Sequence, residues 1–415
     1  MGEATSERVQ GSHYFFLSYA HSPPLEVYQQ EDQDRWVARF FRDLTAAVER
    51  HAAPGSGLGA GFFDQAIPLS EDWKASLNRA LGTAEVFVPL YSPGYFARSW
   101  PGREWACFHR RVTQAGLAEP LRRFVPVLWV PLSGQQDAPG LSEALAACAS
   151  VPEYAENGLR ALLRLRPYHD AYVAVVEQLA RRIVAVAQDS PLPVSDTTSI
   201  DEERSPFAPE AAAKRFMVAV AAPTVRNVPA DSDPGYYGEK ITDWRPFPQH
   251  QRLPLADYAK AVAERLDFAV MITEIAKKGE RFTTWPGVIL IDPWLYSDPA
   301  GLELLTSALN DLPPWVLPLL VPSLPDDLRL SELSERVEGI LQGDGSTRPA
   351  ESQRVPGAVS SLQGFVSAMP VLVAEAERQY LRYGPGAAVP PGPPGTLSPD
   401  PAKRPARSPG EAGDG

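Results

Sequence analysis

EVFVPLYSPGYFARSWPGREW, residues 85–105, places an apolar run directly before the start of a helix. Residues 85–90 are predicted to form a strand, because 86–90 have the unbroken apolar character of a strand that is buried on both faces. Ser99 is placed to cap the helix that follows, and Pro101 falls in its first turn. A buried strand that leads into a helix is typical of a parallel α/β sheet.

The same alternation extends to both sides of this stretch. Apolar runs predict further strands at 14–19, 62–64 and 124–130. Helical spacing predicts helices at 34–50, at 73–81 with Ser70 as the cap, and across 159–187. We therefore expect an α/β unit at residues 13–188, the first unit, in which helices flank a mostly parallel sheet.

A second α/β unit is predicted at residues 214–383. Its strands are expected at 216–220, 287–293 and 315–321. The linker between the units, residues 189–213, lacks periodicity and is rich in Pro, Ser and acidic residues. Residues 384–415 are dominated by Pro, Gly and Ala and are expected to be disordered, and residues 1–12 to be flexible.

The two units repeat the same order of segments. EVFVPLYSPGYF in the first unit matches GVILIDPWLY in the second, and FVPVLWVPLS matches WVLPLLVPSL. This favours a duplicated and diverged domain. The alternative is that parallel α/β units in general share this pattern.

Composition excludes several functions. The net charge is −12 and basic residues form no dense cluster, which disfavours nucleic-acid binding. Cys107 and Cys148 have no metal-ligand spacing and form no disulfide framework, so no metal site is expected. With no signal sequence and no apolar run of about 20 residues, the chain is expected to be soluble, cytoplasmic and not bound to membranes.

Three segments together resemble the sequence boxes of Toll/interleukin-1-receptor (TIR) domains. They are FLSYAHS after the first strand, Phe63-Asp64 with a proline-bearing loop, and LYSPGYFARSWPGREW. The third is the most specific, because residues 100–104 reproduce the family's Trp, three residues, Glu pattern at a helix start. The resemblance covers residues 14 to about 187 and implies a five-stranded, flavodoxin-like sheet, with a diverged TIR-like copy in the second unit.

The whole chain is also similar to the TIR-like FxsC family of bacterial proteins. The paired units, the PLYSPGYF…GREW segment and NGLRALLRL at 157–165 carry this narrower resemblance. That family accompanies the maturation of ribosomal peptides that end in Phe-x-Ser-x-x. The resemblance implies self-association through TIR domains, and maturation proteins or the precursor peptide as partners.

The TIR resemblance also implies a site for NAD as a substrate, with no resident cofactor. Glu104 matches the glutamate that contacts the nicotinamide ribose in NAD-cleaving members, and Trp100 matches the tryptophan beside the nucleotide. A carboxylate there would stabilise the positive charge that develops on the ribose. Residues at the strand ends are expected to complete the NAD site: Ser18, Tyr19, Ala20, His21 and Asp64.

Each of these residues also has a structural interpretation. Glu104 is expected on the flank of a helix whose Trp105, Phe108 and Val112 face the core, where it could simply pair with Arg103 or Arg111. His21 could bind a phosphate or lie in an exposed loop. Asp64 could anchor a turn.

Two departures weigh against catalysis. Ala20-His21 stands where several NAD-cleaving members carry basic side chains, and Leu69-Ser70 replaces a glycine in the following loop.

The second unit lacks the corresponding site residues. With Pro293 aligned on Pro93, Leu304 takes the place of Glu104 and Ala300 that of Trp100, while Glu303 is one residue out of register. If the two units are true copies, the second has lost the site, and its expected role is docking, either to the first unit or to a partner. Tyr236-Tyr237 and residues 243–247 would suit an exposed protein-binding face, or could be loops folded over the core.

Two functions therefore remain open from the sequence. The chain is either an interaction and signalling protein of a peptide-maturation system, or an NAD glycohydrolase or nucleotide-signal synthase that acts through Glu104.

Overall fold

The computed structural model describes residues 12–21, 34–67, 72–117, 119–132, 140–196, 199–207, 214–230, 232–277, 281–297, 299–310, 312–323, 331–335 and 358–385. The strands are β1 (His13–Ser18), β2 (Gly59–Phe62), β3 (Val86–Tyr91), β4 (Val127–Leu128), β5 (Lys214–Ala221), β6 (Phe268–Glu274), β7 (Gly287–Ile291) and β8 (Val316–Leu320). The helices are α1 (Asp34–His51), α2 (Trp73–Thr83), α3 (Pro93–Ala97), α4 (Ser99–Gln114), α5 (Leu141–Ala146), α6 (Pro152–Arg164), α7 (His169–Asp189), α8 (Leu255–Arg265), α9 (Arg281–Thr284), α10 (Pro299–Asn310) and α11 (Leu362–Tyr383).

Two parallel sheets confirm the predicted α/β class. Their strand orders are β2-β1-β3-β4 and β6-β5-β7-β8, so each unit is built in the same way. The described residues give each sheet four strands, one fewer than the five expected. At the β4 edge the Leu128 amide donates to the Tyr154 hydroxyl (2.7 Å), and the Arg160 amide donates to the Trp129 carbonyl (3.1 Å). Helix α6 therefore covers this edge.

Alternation along β1 distributes side chains to two apolar layers. Phe15 and Leu17 are buried against α1, α6 and α7 on one face of the sheet. Phe16 is buried on the other face, where it packs with Phe87 of β3 and with residues of α2 and α4. The predicted two-sided burial of these strands is thus confirmed.

Several local predictions need correction. Strand β2 lies at 59–62, and Asp64 begins a short 3-10 turn instead of ending a strand. Helix α2 is capped by Asp72, whose carboxylate accepts from the amides of Lys74 and Ala75. Ser70, the predicted cap, lies outside the described residues.

The helical stretch predicted at 159–187 is interrupted between α6 and α7. Helix α6 is itself kinked at Gly158, which has a φ of 73°. A Cβ at this position would lie 2.9 Å from the Trp129 carbonyl oxygen. Both the backbone conformation and the close approach therefore require glycine here.

The second sheet contains a strand that the sequence analysis missed. Strand β6 pairs with β5 along its whole length, from Lys214 opposite Phe268 to Val220 opposite Glu274. Apart from Phe268 its residues are exposed or half-buried, as befits an edge strand, and its apolar run is too short to distinguish from a helix segment.

The linker packs closely on the first unit. Leu192 and Ile200 are buried in the apolar layer formed by α2 and α4. The Arg111 side chain donates to the carbonyl oxygens of Leu192 and Pro193, and the Glu85 carboxylate accepts from the Leu192 amide (2.8 Å). The described linker residues are held mainly by individual contacts, with a short 3-10 turn at Ile200–Glu202.

The predictions for residues 1–11 and 386–415 lie outside the described residues. Among the described helices, none combines the length and the apolar character that crossing a membrane requires.

Candidate functional site

The candidate site lies at the carboxyl ends of β1 and β3. The order β2-β1-β3-β4 means that the chain leaves these two neighbouring strands toward opposite sides of the sheet. Ligands of parallel α/β sheets bind at such a switch point. Ser18 is the last residue of β1, in register with Pro89 of β3, and α4 begins beside them.

Glu104 points from α4 into this edge. The Ser18 hydroxyl donates to Glu104 Oε2 (2.6 Å), and Trp100 Nε1 donates to Glu104 Oε1 (3.1 Å). The Tyr95 hydroxyl lies 3.2 Å from Ser18 Oγ, which extends the network to α3. Both carboxyl oxygens of Glu104 are therefore bonded within the protein, and only 5% of the residue is exposed.

Burial sets the protonation of this carboxyl group. It raises the pKa of Glu104 to about 8, although the Ser18 and Trp100 hydrogen bonds favour the ionised form. The negative charge of Asp64 acts in the same direction as burial. Glu104 is therefore mostly neutral at pH 7.

His21 and Asp64 form a second polar cluster at the end of β1. His21 Nε2 lies 2.7 Å from Asp64 Oδ2, and His21 Nδ1 lies 3.1 Å from Asp34 Oδ2. Burial alone would lower the pKa of His21, but the two carboxylates outweigh it and raise the pKa to about 9. Burial would raise the pKa of Asp64, but His21 and Arg265 outweigh it and hold the pKa well below its usual range. The cluster is therefore a charged network with a protonated histidine.

The comparison with protein families identifies the first unit. The family model for the TIR domain matches residues 15–163. This part of the chain is a TIR domain. A search of curated proteins found no match.

The structure brings the predicted site residues of the TIR domain into two adjoining groups. Ser18, Trp100 and Glu104 share one network, and Tyr19 joins the cluster of His21 and Asp64, its ring centroid 4.5 Å from that of His21. Gln65 donates to the Tyr19 hydroxyl (3.0 Å). Ala20, between the groups, has no polar side chain to offer a ligand.

Phe108 and Val112 face the core as predicted, but other predictions about the helix that carries Glu104 need correction. Glu104 lies on the buried face of α4, together with Trp100, Cys107, Phe108 and Arg111, and not on its flank. Trp105 is only half-buried. Glu104 does not pair with Arg111, whose guanidinium donates to the carbonyl oxygens of Leu81, Ala84, Leu192 and Pro193.

His21 was also open to interpretation as an exposed loop residue. Its side chain is only 14% exposed, because both ring nitrogens are engaged by Asp34 and Asp64. The Tyr19 ring packs against the His21 ring as well. His21 is therefore a fixed part of the site.

Sequence reasoning missed the residues of the second unit that reach the TIR domain, Asp267 and Arg265 among them. Asp267 Oδ1 accepts from the Ser99 amide (2.9 Å), the Ser99 hydroxyl (2.6 Å) and the Trp100 amide (3.2 Å). Ser99 therefore does not cap α4, and Asp267 does. Arg265 Nη1 lies 3.5 Å from Asp64 Oδ2. No local signal could reveal these partners, because they lie more than 160 positions away in sequence.

The linker covers α4 from another side. The Phe207 ring lies 5.4 Å from the Trp105 ring and 5.3 Å from the Phe96 ring. A Cβ on Gly102 would lie 1.9 Å from Ser205 Oγ, so the glycine in WPGREW lets the linker cross the helix. The site residues are thus enclosed by neighbouring parts of the same chain.

The second sheet has a different acid at the corresponding edge. Asp292 follows β7 and is 1% exposed, and the Tyr237 hydroxyl donates to its Oδ2 (2.9 Å). The Trp294 amide donates to Asp292 Oδ1 (3.0 Å). Burial raises the pKa of Asp292 to about 7, against both of these hydrogen bonds.

The aromatic segments of the second unit are folded over its core. Tyr236, Tyr237, Trp244 and Phe247 are each less than one-tenth exposed. The interpretation of these segments as an exposed protein-binding face is therefore wrong. Their rings bury apolar surface that a small α/β unit needs for stability.

Proposed function

We propose that the chain is a TIR-domain signalling protein that acts by assembly, with itself or with components of a bacterial FxSxx-COOH peptide-maturation system in the cytoplasm. One observation carries this proposal: the Glu104 carboxyl is closed off, with one oxygen bonded to Ser18 and the other to Trp100. A carboxyl in this state holds α4 to β1 and shapes the domain for its partners.

Cleavage of a glycosidic bond requires a different state of the carboxyl group. Positive charge develops on the ribose, so the stabilising carboxylate must be ionised and must face the sugar. Glu104 is mostly neutral at pH 7, because burial raises its pKa to about 8, and both of its oxygens are already occupied. Interaction is the function that this geometry supports best.

The partner class rests on the sequence. The similarity to the FxsC family supports a peptide-maturation context, and the same strand order in both sheets supports a chain specialised for TIR-type contacts. The acidic net charge of −12 favours basic partner surfaces.

A second candidate function is cleavage of NAD, or synthesis of a nucleotide signal from it, through Glu104. It is favoured by the convergence of Ser18, Trp100 and Glu104 at the switch point of the sheet, beside the charged pair of His21 and Asp64. Activity in this case would need the Glu104 carboxyl to be released and ionised.

One experiment separates the two functions. The full chain is incubated with NAD at low and at high protein concentration, and nicotinamide release is followed beside light-scattering mass. Glu104→Gln is the test variant. Glu156→Gln, which changes an exposed carboxylate on α6, is the matched control.

The assembly proposal predicts a mass that rises with concentration and no nicotinamide release above that of Glu104→Gln. Release by the wild type and by the control, abolished in Glu104→Gln, would replace it with the enzymatic function. A mass that stays monomeric at every concentration, with or without a basic partner, would count against assembly.

A further inference from the structure

The N-terminus of α4 is capped by a residue of the second unit. Asp267 Oδ1 accepts three hydrogen bonds there, from the Ser99 amide, the Ser99 hydroxyl and the Trp100 amide. A carboxylate at this position also meets the positive end of the dipole of a 16-residue helix. The cap lies one helical turn before Glu104 and adjoins the residue that donates to it.

Asp267 adopts an unusual backbone conformation to reach this position. Its φ is 68°, and it is the only non-glycine residue with a positive φ in the described part of the chain. Aspartate tolerates this conformation better than most residues, but such outliers persist only where the surroundings hold them. The turn between α8 and β6 is therefore shaped around its contact with the TIR domain.

Neighbouring residues of the same turn extend the contact. The Arg265 guanidinium lies 4.3 Å above the Trp73 ring, and the Trp73 ring lies 5.3 Å from the Trp100 ring. Arg265 also pairs with Asp64 (3.5 Å), and Glu264 pairs with Lys74 (3.0 Å). Arg265 therefore covers the ring that packs against the Trp100 indole, and it pairs with the acid beside His21.

Apolar packing joins the polar contacts. Ala261 of α8 belongs to the buried cluster that contains Trp73 and Trp100 of the TIR domain. The segment 261–267 therefore combines a cap, three ion pairs, a cation–π contact and an apolar contact with α2, the start of α4 and the turn that holds Asp64. We call this segment the corner.

We propose that the corner is a latch by which the second unit holds the Glu104 site of the TIR domain shut. Asp267 fixes the first turn of α4, and Arg265 covers Trp73 and neutralises Asp64. Release of the corner frees the start of α4, uncovers the Trp73 indole and removes one of the two cations that pair with Asp64. What release would switch on rests on the proposed function, whereas the latch itself is tested apart from it.

The test is hydrogen–deuterium exchange on the full chain with Asp267→Ala, Asp267→Asn and Arg265→Ala. Arg226→Ala is the control, because it breaks an exposed ion pair with Glu239 within the second unit. Loss of the cap is expected to speed amide exchange at residues 99–103 by about tenfold in Asp267→Ala. Asp267→Asn, which keeps an acceptor oxygen, is expected to restore part of the protection.

A second measurement reports the solvent exposure of the tryptophan indoles. Acrylamide quenching of tryptophan fluorescence is expected to rise in Arg265→Ala and to stay unchanged in Arg226→Ala. Unchanged exchange at 99–103 in Asp267→Ala overturns the latch. Equal loss of protection in β1 and β3 also overturns it, because the corner would then be needed for the fold of the TIR domain.

The failure of the latch can be told from the failure of the proposed function. NAD binding to the double variant of Arg265→Ala and Asp267→Ala is followed by saturation-transfer NMR. Faster exchange at 99–103 without NAD binding supports the latch and leaves assembly as the function. Faster exchange with NAD binding supports the latch and favours the enzymatic candidate.

Discussion

The two sheets have the same strand order, but the buried acid at the switch point of each sheet is positioned and hydrogen-bonded differently. In the TIR domain, Glu104 reaches the edge from a helix and is bonded by Ser18 of β1 and Trp100 of α4. In the second unit, Asp292 comes directly after β7 and is bonded by Tyr237 from an inserted segment. The first arrangement is covered by the corner and the linker, and the second by the unit's own aromatic residues.

This difference shows what a shared topology leaves undetermined. Parallel sheets of this order offer a crevice between two central strands, but the side chains decide whether the crevice is a site or part of the core. Burial raises the pKa of both acids, to about 8 for Glu104 and about 7 for Asp292. A raised pKa is therefore found at both sheet edges and does not by itself identify which edge is a functional site.

The largest effect is expected from removing Glu104. Glu104→Ala leaves the Ser18 hydroxyl and the Trp100 indole without their buried acceptor and opens a cavity, at a cost of about 3 kcal/mol. Leu304→Ala, at the aligned position in the second unit, removes a half-buried side chain and should cost about 1 kcal/mol. Hydrogen exchange of β3 and β7 peptides would report the stability of each unit separately. Equal losses of stability in the two variants would contradict the proposed difference between the two sheet edges.

The next effect concerns pH, and its sign follows from the raised pKa of Glu104. Between the unfolded value of 4.5 and about 8 the folded protein holds a proton that the unfolded chain has lost. The stability from Glu104 is therefore full below pH 4.5 and decreases as pH rises toward 8. Glu104→Gln, a neutral substitute, should lack this decrease.

The second unit sharpens this prediction. The pKa of Asp292 is raised from 3.8 to about 7, so its contribution should be lost over a lower window, between pH 4 and 7. Thermal unfolding of wild type, Glu104→Gln and Asp292→Asn would be compared from pH 4 to 8.5. Identical pH profiles for all three proteins would contradict the raised pKa values.

The smallest effect is expected from removing the Tyr237 hydroxyl, which donates to Asp292. Tyr237→Phe removes the donor to Asp292 and the contact with Ser232, and should destabilise the second unit by about 1 kcal/mol. Tyr236→Phe changes the adjacent ring and leaves the Asp292 contacts intact, so its expected cost is close to zero. Urea unfolding with exchange of β7 peptides would measure both, and a larger effect in Tyr236→Phe would refute the assignment.

The sequence was sufficient for the features that local patterns determine. Apolar runs located most strands, and the Trp-to-Glu spacing of 100–104 located the helix that carries the site. Ser18 was correctly placed near Glu104 because parallel strands end at one edge, and Trp100 because it precedes Glu104 by four residues on one helix. The cap by Asp267 and the pairing of Arg265 with Asp64 depend on contacts between distant segments, which no spacing encodes. Edge strand β6 was missed because its short run carries no clear period.

The packing of the linker has a consequence for the order in which the chain folds during synthesis. Leu192 and Ile200 are buried in the apolar layer over α2 and α4, and the Phe207 ring packs against the Trp105 ring. Since domains fold from the N-terminus as the chain emerges, the TIR domain cannot finish its packing when residue 188 has been made. It must wait for residue 207, only a few positions before β5 begins at Lys214. The linker contacts of the first unit are therefore made just before the second unit begins to form, whereas its contacts with Ala261 and Asp267 are made only after α8 and the turn that follows it.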